Sequence, residues 1–252
     1  MTRPDVHVSL ACWPGLRHDE AAQHLASGVS EPLFGTLSTD HVQLVPQSFG
    51  VLTEAVADGL TAAFPRIRFR LHANVRVLPE HHLADLSSYA AHSRWFKQAA
   101  SISQRLNAAA YTAHAGMRRH ATMAELLDHA CRCAELFGCV VGIEGQYPSK
   151  GDPWLVSNWP EYRQVFESGV PYAIDLSHLH ILACQSGVRN EALVRDMLAC
   201  DRCIEVHVSD NDGHGDRHQV CQRPPWWWPL LQHINPNAVV FSEGNHRRRR
   251  TP

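Results

Sequence analysis

The chain reads as an α/β protein built as a single (β/α)8 TIM barrel. Two observations predict this. Short apolar, strand-like runs alternate with helix-like segments from one end to the other, the pattern of parallel βα units. The length of 252 residues also matches the roughly 250 residues typical of such a barrel. One barrel domain is expected over residues 1–246, followed by a short basic tail, 247–252, that carries Arg247 to Arg250. No composition break marks a second domain.

The elements follow in order. The first strand is expected at Val6–Cys12, then a helix at Asp19–Ala26 and a second strand at His41–Val45. A helix at Leu52–Ala63 leads to a third strand, Ile67–His72. Residues 86–106 have helical periodicity and lead to a fourth strand, Ala108–His114. Met123–Phe137 has the apolar spacing of an amphipathic helix. Strands five and six are Cys139–Glu144 and Tyr172–Asp175. A helix at Glu191–Leu198 precedes strand seven, Cys203–His207, and a helix at Trp226–His233 precedes strand eight, Ala238–Glu243. Two longer loops, Gln146–Trp159 and Ser209–Pro225, leave the C-terminal ends of strands five and seven. Barrel loops at that end carry function. Of Trp226–Trp228, one or two are expected to pack on the barrel.

Composition is that of an ordinary globular protein, 44% hydrophobic and 19% charged. The net charge of −2 gives no whole-molecule field to attract nucleic acid, which is therefore not the expected partner. No apolar run is long enough to span a membrane and the N-terminus lacks a signal-peptide core. A cytoplasmic location with reduced thiols is expected for the eight cysteines. Cys200 and Cys203 form a lone CxxC and read as ordinary thiols rather than a structural zinc site. The basic tail reads as a solvated end.

Histidine is the outlier, at 18 residues. His18, His81, His82 and His120 read as surface decoration, but others sit at strand ends with carboxylates. His72, His114, Glu144, Asp175, His207 and Glu243 each close an apolar run, while His178, Asp216 and His218 follow in the adjoining loops. A parallel barrel delivers every strand's C-terminal end to one face, so these nine would converge there. Imidazole and carboxylate suit Mn, Fe or Zn alike. Clustered carboxylates without a cation would repel one another. Glu144, Asp175, His207 and Glu243, from neighbouring strands, form the expected principal set. His178, Asp216 and His218 could hold a second cation, and His72 and His114 a third by sharing Glu144. Asp210, Asp212 and His214 lie close by in sequence and leave the ligand choice in that loop open. Glu144, Glu243 and His178 are the candidate catalytic groups. Arg17, Arg76, Arg118 and Arg217 are candidates to meet an anionic part of a substrate, with surface or structural pairing the plainer reading.

The segments HAG (114–116), IEG (143–145), DLSH (175–178), HVSDNDGHGDRH (207–218) and SEGN (242–245) resemble the metal-binding skeleton of the xylose isomerase-like and endonuclease IV-like barrels. Within that superfamily, GLRHDEAAQHL (15–25), IEGQYPSKGDPW (143–154), SGVPYAIDLSHLHILACQSG (168–187) and DRHQV (216–220) are similar to the multinuclear non-haem iron oxidases of the methanobactin-biosynthesis type. That resemblance implies two or three irons, O2 as oxidant, a peptide or other small-molecule substrate and a partner protein that presents a precursor. It is the leading expectation. His178 departs from it, since that branch commonly has Asn there. A second likeness is to sugar isomerases and epimerases, which implies one divalent metal on Glu144, Asp175, His207 and Glu243, with Glu144 and Glu243 doubling as acid and base. Here the expected PGEG segment is replaced by VCQRPP. The third is to endonuclease IV, a three-zinc phosphodiesterase whose ligand types all match. A binding module without catalysis is the remaining alternative.

Overall fold

The computed structural model describes residues 4–80 and 83–247. Eight parallel strands form the barrel: β1 (Val6–Ser9), β2 (Ser38–Leu44), β3 (Arg68–Leu71), β4 (Ala110–His114), β5 (Val140–Glu144), β6 (Tyr172–Asp175), β7 (Cys203–Val208) and β8 (Val239–Ser242). Hydrogen bonding runs in the order β3-β2-β1-β8-β7-β6-β5-β4. The cylinder is thus paired everywhere except between β3 and β4. Around it lie α1 (His18–Gln23), α2 (Glu54–Ala63), α3 (Ser93–Arg105), α4 (Met123–Phe137), α5 (Trp159–Glu167), α6 (Leu176–Ser186) and α7 (Glu191–Ala199). Among the described residues no helix is long and apolar enough to cross a membrane.

Local chemistry accounts for the outer layer. Thr122 caps α4 in a reciprocal box with Glu125, and Gly138 ends it in the left-handed region that a side chain would disfavour. Leu126, Ala130, Cys133 and Phe137 form its buried stripe. Phe137 stacks on Tyr111 of β4 with ring centroids 4.4 Å apart, so the stripe locks helix to strand. The barrel interior is polar at its centre. Arg70 of β3 and Glu205 of β7 form an ion pair at 2.7 Å, 6% and 0% exposed. Gln43 and Thr112 add hydrogen bonds to the same carboxylate, each at 2.9 Å.

Several expectations are corrected. Leu10–Cys12 leaves the strand as a 3-10 turn. The 86–106 segment divides into a 3-10 turn at Leu86–Ser88 and α3. The last helix is a 3-10 helix, Trp228–His233, with Pro229 in its first turn. Two helices, α5 and α6, and a small antiparallel hairpin, Ser30–Glu31 with Gly35–Thr36, were not expected from the pattern. In α6 the residues Leu176, Ser177, His178, Leu179, Ile181, Leu182 and Ala183 are all buried. A helix covered on both sides loses the periodic polar face that would reveal it. His18 is buried at 3% exposure rather than decorating the surface. His120 is exposed, and His81, His82 and Arg248–Arg250 lie outside the described residues. Trp227 is fully buried, with Trp226 and Trp228 packed against the core. All eight cysteines are unpaired.

Candidate metal centre

Strand register brings the ligands side by side. His114 pairs with Glu144, and Asp175 with His207. The ladder continues past the strand ends, with the His72 amide bonded to the Leu44 carbonyl at 2.8 Å and the Glu243 amide to the Val208 carbonyl at 3.0 Å. The strand-end side chains therefore point into one volume at the C-terminal mouth. Two further pieces complete it. Asp175 caps α6 through Oδ1, which accepts from the amides of Ser177 and His178 at 2.7 and 3.2 Å. This leaves Oδ2 to face His178 Nε2 at 3.4 Å. The loop after β7 folds back to place Asp216 Oδ2 3.6 Å from that nitrogen and 2.9 Å from His218 Nε2.

Glu144 is the hub. Its Oε1 lies 3.6 Å from His114 Nε2, 3.5 Å from His207 Nδ1 and 3.8 Å from His178 Nδ1, while Oε2 lies 3.3 Å from His72 Nε2. Glu243 is a second hub, 3.6 Å from His72 Nε2, 3.9 Å from His207 Nδ1 and 3.5 Å from His218 Nδ1. Among the described residues, three groupings in this mouth have donor atoms within 4.8 Å of one another: His72 with His114 and Glu144; His72 with His207 and Glu243; and Glu144 with Asp175 and His178.

The orientation of the imidazoles speaks for a cation. Each of four rings has one nitrogen turned to an outer acceptor. His72 Nδ1 faces the Ala73 carbonyl at 3.1 Å, and His178 Nδ1 the Gly145 carbonyl at 2.9 Å. His207 Nε2 faces Glu205 at 2.7 Å, and His114 Nδ1 faces Asp85 at 3.5 Å. The opposite nitrogens converge on the shared carboxylates. Backbone carbonyls and carboxylates behind a histidine fix its tautomer and aim the other nitrogen at a metal. Glu144 Oε2, His207 Nδ1 and His218 Nδ1 are buried without a hydrogen-bond partner. Groups of that kind are costly unless something else binds them. The donor set therefore fits one or more divalent ions.

Electrostatics show what a cation would compensate. Burial pushes the Glu144 carboxyl up, but His207, His114 and His72 outweigh it and hold it well below the usual range. Burial pushes Asp175 up to about 6, aided by the charges of Asp216 and Glu243 and opposed by His178. Burial pulls His178 and His218 down, but the carboxylates around them win and raise them to about 10 and about 9. His114 and His207 move upward for the same reason. Outside the mouth, burial opposes ionisation of Glu205, yet His207 and Arg70 hold it at about 2. Protons held among these imidazoles and carboxylates are those a bound metal would displace.

All nine sequence-derived ligand candidates thus meet in one cluster. Asp212 and His214 point outward, and Asp210 bridges back to Gln219 through its backbone. The four arginines are engaged with partners of their own. Arg17 pairs with Asp19, Arg118 with Glu161 and Asp152, and Arg217 with Asp212, while Arg76 donates to the Pro79 carbonyl. Two supporting groups escaped sequence reading. Glu205 is in i, i+2 relation to His207, so strand alternation could have revealed it. Asp85 comes from a loop, and Asn74 ties it in through a 2.8 Å hydrogen bond. Asn74 adopts a left-handed backbone with φ 60°. Beside His114 opens a cavity of about 370 Å3, lined among others by Gln47, Asn74, Asp85, Gln146, Leu83 and Trp154.

No protein-family model and no curated relative matches the sequence. Solved structures do match in shape. A D-tagatose 3-epimerase-like protein superposes with a TM-score of 0.67 at 16% identity, covering 97% of this chain and 91% of its own. An AP endonuclease of family 2 from Brucella melitensis gives 0.61 at 13% identity, covering 97% and 94%. The IOLI protein with a binding zinc atom gives 0.60 at 11%, covering 95% and 88%. The chain has the (β/α)8 fold shared by xylose isomerase-like proteins. These three neighbours are an epimerase-like protein, an AP endonuclease and a protein with a bound zinc atom.

Proposed function

We propose that the protein is a divalent-metal enzyme that moves a proton beside the carbonyl of a neutral, hydroxyl-rich substrate, in the manner of a sugar isomerase or epimerase. Glu144, Asp175, His207 and Glu243 would hold the metal. The observation that carries the reading is the pairing of two buried carboxylates with a pocket that no Lys or Arg lines. Glu144 and Glu243 flank His207 Nδ1 and are 1% and 2% exposed. The adjoining cavity offers the amides of Gln47 and Gln146, the Asp85 carboxylate, the faces of Trp154 and Leu83, and no Lys or Arg. A phosphorylated substrate normally meets cationic side chains there. Amides instead match hydroxyl groups, which both donate and accept.

A divalent ion at this position supplies Lewis acidity to a hydroxy-carbonyl pair, making the C–H bond beside the carbonyl more acidic. One of the two glutamates, Glu144 or Glu243, takes that proton. Return of a proton to the opposite face of the same carbon gives an epimer, and return to the neighbouring carbon gives an isomer. Carboxylates in a dry cleft suit both steps. Asp175 and Asp216 both face His178 Nε2 while the Gly145 carbonyl holds Nδ1, and this keeps that wall of the site fixed.

The test is hydrogen exchange. Protein loaded with Mn2+, Co2+ or Zn2+ is incubated in D2O with a set of free ketohexoses and aldopentoses. Deuterium is expected at the carbon beside the carbonyl, and Glu243→Gln should abolish it. No exchange with any sugar would overturn the reading. A second reading rests on a separate observation, the donors beyond the four principal ligands: His72, His114, His178, Asp216 and His218. They support a centre of two or three ions. Phosphodiester hydrolysis and O2-dependent oxidation of a peptide both use such centres. Three zincs per chain with cleavage of an abasic-site oligonucleotide would favour the first, and two or three irons with O2 uptake the second.

A further inference from the structure

We infer that Cys12, Glu31 and His246 form a second, thiolate-containing site for one zinc-type divalent ion, which clamps the hairpin and the C-terminal segment onto the barrel wall. Their donor atoms lie within 4.8 Å of one another. The three come from distant places: the 3-10 turn after β1, the hairpin strand Ser30–Glu31, and the segment three residues beyond Glu243. Phe241 lies beside His7 and Arg70, and strand alternation turns Ser242 to the opposite face. The second cluster therefore gathers on the outer side of β8, apart from the mouth.

The hydrogen bonds assemble the cluster yet leave it incomplete. Glu31 Oε1 accepts from the Ser242 hydroxyl at 2.6 Å and faces His246 Nε2 at 2.9 Å. The His246 amide donates to the Cys12 carbonyl at 2.8 Å. Glu31 Oε2, however, is buried with no partner, on a side chain 1% exposed. The Cys12 thiol is fully buried, and its bond is a long 3.8 Å contact to the Ser242 carbonyl. A hydrogen-bonded hub without an ion would explain the Glu31–His246 contact but not the unpartnered Glu31 Oε2. One cation between the thiol sulfur and Glu31 Oε2 would give that oxygen a partner and replace the long thiol contact. A mixed Cys/His/carboxylate set is a borderline-soft donor set, which zinc accepts and which harder ions do not select. His246 is 21% exposed and gives an ion a way in. On binding, the Cys12 sulfur gives its proton to solvent and the Cys12–metal bond replaces the S–H bond.

This inference does not depend on the proposed reaction, because the main centre contains no sulfur. The full chain is loaded with Co2+, and cobalt per chain and the absorption spectrum are measured. Expected is an intense near-ultraviolet thiolate-to-cobalt band on top of the weaker visible absorption of the main centre. Cys12→Ser and His246→Gln should each remove that band and one equivalent of cobalt while the visible absorption persists. Partly exposed His246 keeps the test decisive if the buried Cys12 variant does not fold. Absence of the band in the unaltered protein, or its survival in His246→Gln, overturns the inference. So does a His246→Gln variant that loses both sets of absorption together.

Discussion

Replacing Glu205 by Gln should separate the two tasks that this carboxylate performs. Four donors converge on it: Gln43 Nε2, Thr112 Oγ1, His207 Nε2 and Arg70 Nη1, at 2.7 to 2.9 Å. A glutamine side chain has one acceptor oxygen and turns an NH2 group toward one of these donors. It also leaves the Arg70 guanidinium, 6% exposed, without a countercharge. Breaking a buried ion pair from one side costs about 3–5 kcal/mol. The same change loosens the tautomer and aim of His207. Loss of such support weakens metal binding about 10–100-fold, or about 1.4–2.7 kcal/mol. Urea unfolding reports the first quantity and competition with a zinc chelator the second. The double variant Arg70→Met/Glu205→Gln should recover much of the stability, since no charge is stranded, yet keep the weakened metal binding. If Glu205→Gln binds zinc as tightly as the unaltered protein, Glu205 does not orient His207 and the argument fails.

Three other outcomes are expected. His207→Ala and Glu243→Ala should each lose metal loading, seen as a drop in metal per chain by elemental analysis; undiminished content in either would contradict the ligand assignment. Burial holds the His18 imidazole down at about 4, from 6.5, against the Val45 backbone bond that favours its charged form. The unfolded chain therefore takes up a proton below pH 6.5 that the folded chain refuses until about pH 4. Stability should fall across that window by about 3 kcal/mol, and unfolding curves of His18→Gln should lack that part of the pH dependence. Gly145→Ala would put a Cβ 2.3 Å from the ring of Tyr162, whose side chain is fully buried. Overpacking of this kind costs about 1–3 kcal/mol. It should also weaken metal binding, since the Gly145 carbonyl holds His178.

The strand ends were the most legible part of the chain. Tyr172–Asp175 and Met123–Phe137 have the expected boundaries, because each carries its full signal locally: an apolar run ending in a carboxylate, and a capped amphipathic stripe ending at glycine. The convergence of the six strand-end donors followed from barrel geometry, while His178, Asp216 and His218 join them through the helix and loop that follow. What tertiary contact decides was hidden. His18 is an ordinary first-turn helix residue until the barrel covers it, and α6 shows no polar face because both its sides are packed. Asp85 reaches His114 by way of a turn at Asn74 that no strand period encodes. The cluster of Cys12, Glu31 and His246 unites residues 234 positions apart in the sequence, so only the folded chain reveals it.

The one unpaired seam of the barrel, between β3 and β4, carries a consequence for the centre. The strands on its two sides lead into His72 and His114, and no backbone ladder joins them. Glu144 Oε2 reaches His72 and Oε1 reaches His114. An ion shared by these three side chains would act as a stitch across the gap, doing with coordinate bonds what amide pairs do around the rest of the wall. Loading the centre would then complete the cylinder itself, and the empty protein would open first along this slit.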